Sequence, residues 1–188
     1  MMKAGVLALQ GAVSEHVSCT KAAMENLGIK GGVAEARTAA SLEGLDALII
    51  PGGESTTLSL LMEKENLFPA IAKIPKIFGT CAGAILLAKE ISGAANGQKT
   101  LGLIGMSIAR NAYGRQLQSF EIPLETKIGK IEGVFIRAPL IESVNGNAEV
   151  LASYKGKPVA VKEGKYLATT FHPELSGSTL FHEHFLKL

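Results

Sequence analysis

Two short stretches hold residue types that together could run acyl-transfer chemistry: Gly79-Thr80-Cys81-Ala82-Gly83 and, much later in the chain, His172-Pro173-Glu174. The first joins the apolar run Lys76–Gly79 to a helix-forming run through Gly-x-Cys-x-Gly. That is the spacing of a nucleophile elbow with sulfur in place of the serine oxygen. Small residues on either side let the backbone bend tightly and let a substrate carbonyl approach. A nucleophile at such a corner stands at a helix N-terminus, where free N–H groups and the helix dipole favour the thiolate.

The same five residues also describe a packed strand-to-helix corner with a small buried cysteine. Chemistry therefore requires a base from elsewhere. In extended chain, residues two apart face one side, so His172 and Glu174 can enter the same site with the carboxylate close to the imidazole. Pro173 locks the backbone between them and disfavours a helix there. A thiol nucleophile needs a base to move its proton, and that base needs a third group to fix its tautomer. Cys81, His172 and Glu174 are the types required. Their order, nucleophile then histidine then acid, differs from the order in α/β-hydrolases and weighs against that family.

Composition sets the frame. The chain has 188 residues, 47% hydrophobic and 19% charged, which suits one compact globular domain over residues 1–188. A net charge of +2, with no basic run interleaved with aromatics, gives no footprint for nucleic acid. No apolar stretch approaches the ~20 residues of a membrane span. Two cysteines do not make a disulfide framework, so a reducing, cytoplasmic setting is expected. No Cys/His/carboxylate spacing suggests a metal, and the glycine pairs lack nucleotide-site patterns, so no cofactor is expected.

The elements that must position these residues follow from periodicity. Gly5–Leu9 reads as a strand buried on both faces, and Ser14 as the cap of a helix ending near Leu27. Val33–Ala36 and Asp46–Ile50 read as strands, and a helix starts at Ser55 or Thr56 with Leu58, Leu61 and Met62 on one stripe. The strand Lys76–Gly79 leads through the elbow into a helix reaching about Glu90. This alternation predicts a parallel sheet with helices on both faces. After a loop from Ser92 to Lys99, short strands are expected at Met106–Ala112, Gln118–Leu124, Gly133–Arg137, Glu149–Tyr154, Pro158–Lys162 and Tyr166–Phe171. They should add antiparallel strands to the sheet edge and a small companion sheet, before a closing helix from about Thr179 to Leu186.

Gly79–Gly83 with Phe171-His172-Pro173-Glu174 resembles the triad-type, class I glutamine amidotransferases. Leu9–His16, Pro51–Thr57, Arg110–Gln116 and Val134–Pro139 narrow the likeness to the glutaminase subunits of pyridoxal 5′-phosphate synthases, over nearly the whole chain. The resemblance implies a three-layer, flavodoxin-like α/β fold, with a mixed but mostly parallel central sheet and extra antiparallel strands. It also implies hydrolysis of L-glutamine and delivery of ammonia to a barrel-shaped synthase subunit in a large hetero-oligomer. Glutamine would be held by Gly53, Glu54 and Ser55, by Arg110, and by Ile136 with Arg137. Glu54 suits an α-ammonium and either arginine suits an α-carboxylate. Oxyanion donors are expected from Ala82 and from Gly52-Gly53, a glycine pair that also fits a plain turn. Gln10 and the first helix are candidate docking elements.

Alternatives at this level are the glutaminase subunit of another synthase, such as that of imidazole glycerol phosphate, and a non-catalytic binding module. Cys19 reads as a packing residue and His16 as a surface histidine. His182 and His184 lie roughly 200° apart around the last helix, unable to share a metal, and are expected on a solvated face.

Overall fold

The computed structural model describes residues 1–110 and 119–188. Five parallel strands form the heart of a nine-stranded sheet: β1 (Met2–Leu7), β2 (Gly31–Ala36), β3 (Ala47–Ile50), β4 (Lys76–Thr80) and β12 (Tyr166–Thr169). The spatial order is β2-β1-β3-β4-β12, so the last strand of the chain lies beside the strand that carries the elbow. Antiparallel strands β11 (Lys157–Glu163), β10 (Glu149–Tyr154), β7 (Ser119–Thr126) and β8 (Gly129–Ile136) extend that edge. Strands β5 (Ala88–Ser92), β6 (Ile104–Ala109) and β9 (Leu140–Val144) make the companion sheet.

Both faces of the parallel strands are covered, as their continuous apolar sequences require. Successive residues alternate between two cores. Leu7, Leu48, Ile50, Ile77 and Ala168 face one side, against α3 (Ser55–Lys64), α4 (Phe68–Ile71), α5 (Ala82–Leu87) and the companion sheet. Val6, Ile49, Phe78 and Leu167 face the other, against α1 (Val13–Asn26) and α6 (Leu180–Lys187). A short helix, α2 (Ala39–Leu42), opens on Thr38, whose hydroxyl accepts from the Ser41 N–H.

Several expectations need correction. Ser14 is not the cap of α1: the helix starts from Ala12 without a side-chain cap, and the Ser14 hydroxyl donates to Glu15. The helix after the elbow stops at Leu87, because Ala88 turns extended at φ −67°, ψ 146°. The Leu86 and Leu87 carbonyls instead accept from Leu101 and Leu103, and residues 88–92 become β5. The 173–175 segment is a 3₁₀ turn with Pro173 at its start, not extended chain. Helices α2 and α4 and strand β9 have no counterpart in the sequence reading. The expected strands Met106–Ala112 and Gln118–Leu124 run partly into residues 111–118, outside the described residues, as does the Arg110–Gln116 stretch beyond Arg110.

Candidate active site

The elbow is built as its sequence demands. Cys81 takes φ 51°, ψ −104°, left-handed backbone that a side chain disfavours, and stands at the N-cap of α5. The turn closes this tightly because Gly79 packs against the backbone of Gly83, and Gly83 packs against the Ile50 carbonyl. A Cβ at either glycine would collide with backbone. The Cys81 N–H donates to the Thr169 carbonyl of β12 (2.8 Å), fixing the corner to the strand that leads toward His172. Cys81 is 7% exposed, and its Sγ lies 3.9 Å from the Ile136 carbonyl oxygen.

His172 enters from the end of β12. Its N–H donates to the Val134 carbonyl of β8 (2.8 Å), so the antiparallel extension helps to hold it. His172 Nδ1 donates to Glu174 Oε1 at 2.7 Å, which leaves Nε2 as the free ring nitrogen. The pair expected from extended geometry is thus made by a 3₁₀ turn, which folds the carboxylate back under the ring. Burial resists charging His172, but the Cys81 sulfur and the Glu174 carboxylate outweigh it and push its pKa up to about 10. Burial would also raise the Glu174 carboxyl. The nearby His16 and the hydrogen bond from His172 override that and hold it well below the usual carboxylate range.

Gly52 lies against the side chains of both His172 and Cys81: a Cβ there would sit 2.6 Å from His172 Cε1 and 3.3 Å from Cys81 Cβ. No other residue type fits without displacing the imidazole. Gly53 follows at φ 138° and packs against the Gln10 side chain. Gly11, at φ 90°, presses on the Gly52 carbonyl, so the first loop backs the glycine pair. Ala82 begins α5, where first-turn N–H groups lack intrahelical acceptors.

A cleft of about 580 Å³ opens over these groups. Of the residues nominated from sequence, Cys81, Ala82, His172, Gly53, Glu54, Ser55, Arg110, Ile136 and Arg137 line it, whereas Gly52 and Glu174 stand immediately behind. Glu54 is more than a wall. Its carboxylate caps α3 by accepting from the Thr56 and Thr57 N–H groups, takes the Thr57 hydroxyl, and pairs with Arg110 at 2.9 Å. Backbone and hydroxyl donors outweigh its slight burial and lower its pKa to about 2. Arg110 also donates to Gln98, which in turn donates to the buried Ser55 hydroxyl. Gln98 was not nominated from sequence, because its loop reads only as Gly-, Ala- and Asn-rich. Arg137 occupies left-handed backbone at φ 46°, at the turn after β8 that carries Ile136 to the cleft.

Two histidines are misplaced by the sequence reading. His16 and His182 are fully buried, not on solvated faces, because α1 and α6 pack together over the sheet with Phe78 beneath. In each helix the histidine falls within the apolar stripe: His16 with Thr20, Ala23 and Met24, and His182 with Phe181, Phe185 and Leu186. That spacing was the available signal. Cys19 is half-buried, and burial, with the Glu174 and Glu183 charges, pushes its thiol up to about 12. Among the described residues, no cluster of His, Cys, Asp and Glu could hold a metal, and no helix is long and apolar enough to cross a membrane.

Comparison with known proteins agrees with this geometry. Residues 6–188 match the model of the SNO glutamine amidotransferase family. The chain is 45% identical to the pyridoxal 5′-phosphate synthase subunit PdxT of Thermococcus onnurineus, covering all of this chain and 98% of that one. It is 48% identical to the PdxT of Oenococcus oeni, covering all of this chain and 96% of the relative. A crystal structure of a glutamine amidotransferase superposes with a TM-score of 0.86 at 46% identity, over 98% of this chain and 97% of that one. A glutamine amidotransferase from Thermotoga maritima, 15% identical, shares the fold at a TM-score of 0.62, over 96% of this chain and 80% of its own.

Proposed function

Because the chain belongs to the SNO glutamine amidotransferase family, we propose that its cleft hydrolyses the side-chain amide of L-glutamine and passes the ammonia to a pyridoxal 5′-phosphate synthase subunit. The observation that carries this reading is the convergence of Cys81, His172 and Glu174 beside one cleft, on an elbow whose glycines have no steric alternative.

The Cys81 thiolate attacks the amide carbon, and the carbonyl electrons move onto oxygen. The Ala82 N–H and the Gly52-Gly53 segment are the groups proposed to receive that oxyanion. Collapse breaks the carbon–nitrogen bond as His172, held protonated by its two anionic neighbours, gives its proton to the departing ammonia. Water, deprotonated by His172, then attacks the γ-glutamyl thioester; collapse releases glutamate and returns the Cys81 thiolate beside a protonated His172. Glu174 orients the imidazole throughout.

Gly53, Glu54, Ser55, Arg110, Ile136 and Arg137 form the glutamine subsite in this reading. The four donors on Glu54 already occupy its lone pairs, which favours Arg137 over Arg110 for the α-carboxylate, since Arg110 is engaged by Glu54 and Gln98. Residues 1–188 act as one glutamine amidotransferase domain. Free ammonia is protonated in water and readily lost, so the activity makes sense only docked to a consuming synthase, barrel-shaped as the resemblance implies, in a cytoplasmic hetero-oligomer. The test is glutamate release with and without the synthase subunit. Wild type should turn over and Cys81→Ala should fall to background while still binding the partner; turnover by Cys81→Ala at the wild-type rate would overturn the assignment.

A further inference from the structure

Behind Glu174 the polar chain does not end. Glu174 Oε1 receives His172, but Oε2 is buried and has no hydrogen-bond partner of good geometry among the described residues. His16 Nε2 lies 3.4 Å from it. That nitrogen also lies 3.1 Å from the hydroxyl of Thr80, the residue before the nucleophile. His16 Nδ1 is 3.0 Å from His182 Nε2, and His182 Nδ1 is 3.1 Å from Cys19 Sγ. His16, His182 and Thr80 are all fully buried. The line Cys81, His172, Glu174, His16, His182, Cys19 therefore runs from the cleft through the protein to the groove between α1 and the turn at Gly177.

The geometry points to His16 and His182 as positioning residues that extend the triad, with His16 presenting its Nε2–H to Glu174 Oε2 and His182 fixing the His16 tautomer. This rests on the glutaminase reading for its kinetic consequence, though not for its hydrogen-bond order. That order follows from the carboxylate. An acceptor nitrogen facing a buried carboxylate oxygen is repelled by it, so Nε2 of His16 carries the proton. In that tautomer the His16 Nδ1 is a lone pair, which accepts from the Nε2–H of His182 at 3.0 Å. His182 in turn has a bare Nδ1, facing a thiol that can donate to it. The environment fits the outer assignments: burial above all lowers the His182 pKa to about 3, so its ring carries one proton, and burial pushes the Cys19 thiol up to about 12, so it keeps a hydrogen to donate. The reverse order, with Cys19 donating only to the Ser178 carbonyl (3.6 Å) and each histidine protonated at Nδ1, leaves Glu174 Oε2 facing a lone pair. Each donor in the favoured order points toward Glu174, which is what a carboxylate that must stay ionised and immobile beneath a catalytic imidazole requires.

Two measurements test this. Nitrogen-15 NMR of the imidazoles in the wild-type protein reports tautomers without substitution or substrate. Nε2–H forms at both His16 and His182 are expected, and an Nδ1–H form at His16 would overturn the proposal. In the complex with the synthase subunit, His16→Phe should lower kcat for glutamine roughly 10-fold with KM within about twofold, the size expected for losing a hydrogen bond to a charged group. His16→Gln, whose amide reaches the Nε2 position, should recover most of that loss. A residue that only filled space would leave kcat per folded molecule unchanged in His16→Phe, and that result would also overturn the proposal. Should wild type release no glutamate, the glutaminase reading fails and the tautomers alone decide this one.

Discussion

Cys81 shows how much of the site is a backbone problem. Its φ of 51° at ψ −104° is a conformation that costs an L-residue of order 1–3 kcal/mol, and it persists because Gly79 and Gly83 let β4 and α5 close on each other around it. The strain belongs to the Cβ, not to the sulfur. Cys81→Ala should therefore remove chemistry while keeping the strain, whereas Cys81→Gly should remove both. We expect Cys81→Gly to be more stable than Cys81→Ala by about 1 kcal/mol, the relieved strain exceeding the extra freedom glycine has when unfolded. Urea midpoints of the two variants measure this, and equal midpoints would show that the elbow holds no strain at Cys81. The same logic explains Gly52, where even a methyl group would displace the His172 imidazole proposed to serve Cys81.

At the scale of elements, Glu54 joins two jobs that sequence reading separated. The resemblance at Pro51–Thr57 proposes it as a substrate contact, but its place as the cap of α3 depends on where that helix starts, a boundary that periodicity sets only loosely. Glu54→Ala should cost about 1 kcal/mol through the lost cap and, by releasing Arg110 into the cleft, raise KM for glutamine more than it lowers kcat. Because the folded pKa lies near 2, below the ordinary 4.5, the carboxylate's contribution is complete above pH 4.5 and disappears as pH falls toward 2. Denaturation midpoints of wild type and Glu54→Ala should converge across that window, and a gap that stays constant would count against the cap. Elsewhere the meeting of Cys81, His172 and Glu174 at one cleft was legible because each half is a local pattern with its own mechanism. His16 and His182 were not, since their burial depends on α1 and α6 meeting on one face of the sheet, a long-range fact. The end of α5 was missed for a related reason. Ala-Lys-Glu-Ile suits a helix locally, and only the N–H groups that Leu101 and Leu103 donate to the Leu86 and Leu87 carbonyls, with pairing to β6, turn residues 88–92 into a strand.

The whole molecule places its chemistry where open parallel sheets place ligands, outside the carboxyl ends of neighbouring strands. Gly52-Gly53 follows β3, Cys81 follows β4 and His172 follows β12, three adjacent strands drawn from distant parts of the chain. The loop after β1 reaches the same end. There the Gln10 amide donates to the Glu54 carbonyl at 2.7 Å and its side chain packs against Gly53, while Gly11 presses on Gly52. Gln10 is thus a strut between the start of α1 and the segment proposed to bind the oxyanion. A partner that docks on the first loop would act on that segment through this strut, with no need to move the triad. Gln10→Ala should consequently leave the fold and the unstimulated glutaminase rate within about twofold of wild type, but lose most of the stimulation on adding the synthase subunit. Rates measured with and without the partner, at partner concentrations that saturate binding, separate this from weakened docking. Full stimulation of Gln10→Ala would mean that the partner reaches the site by another route, and equal loss in both rates would mean that Gln10 serves the chemistry directly.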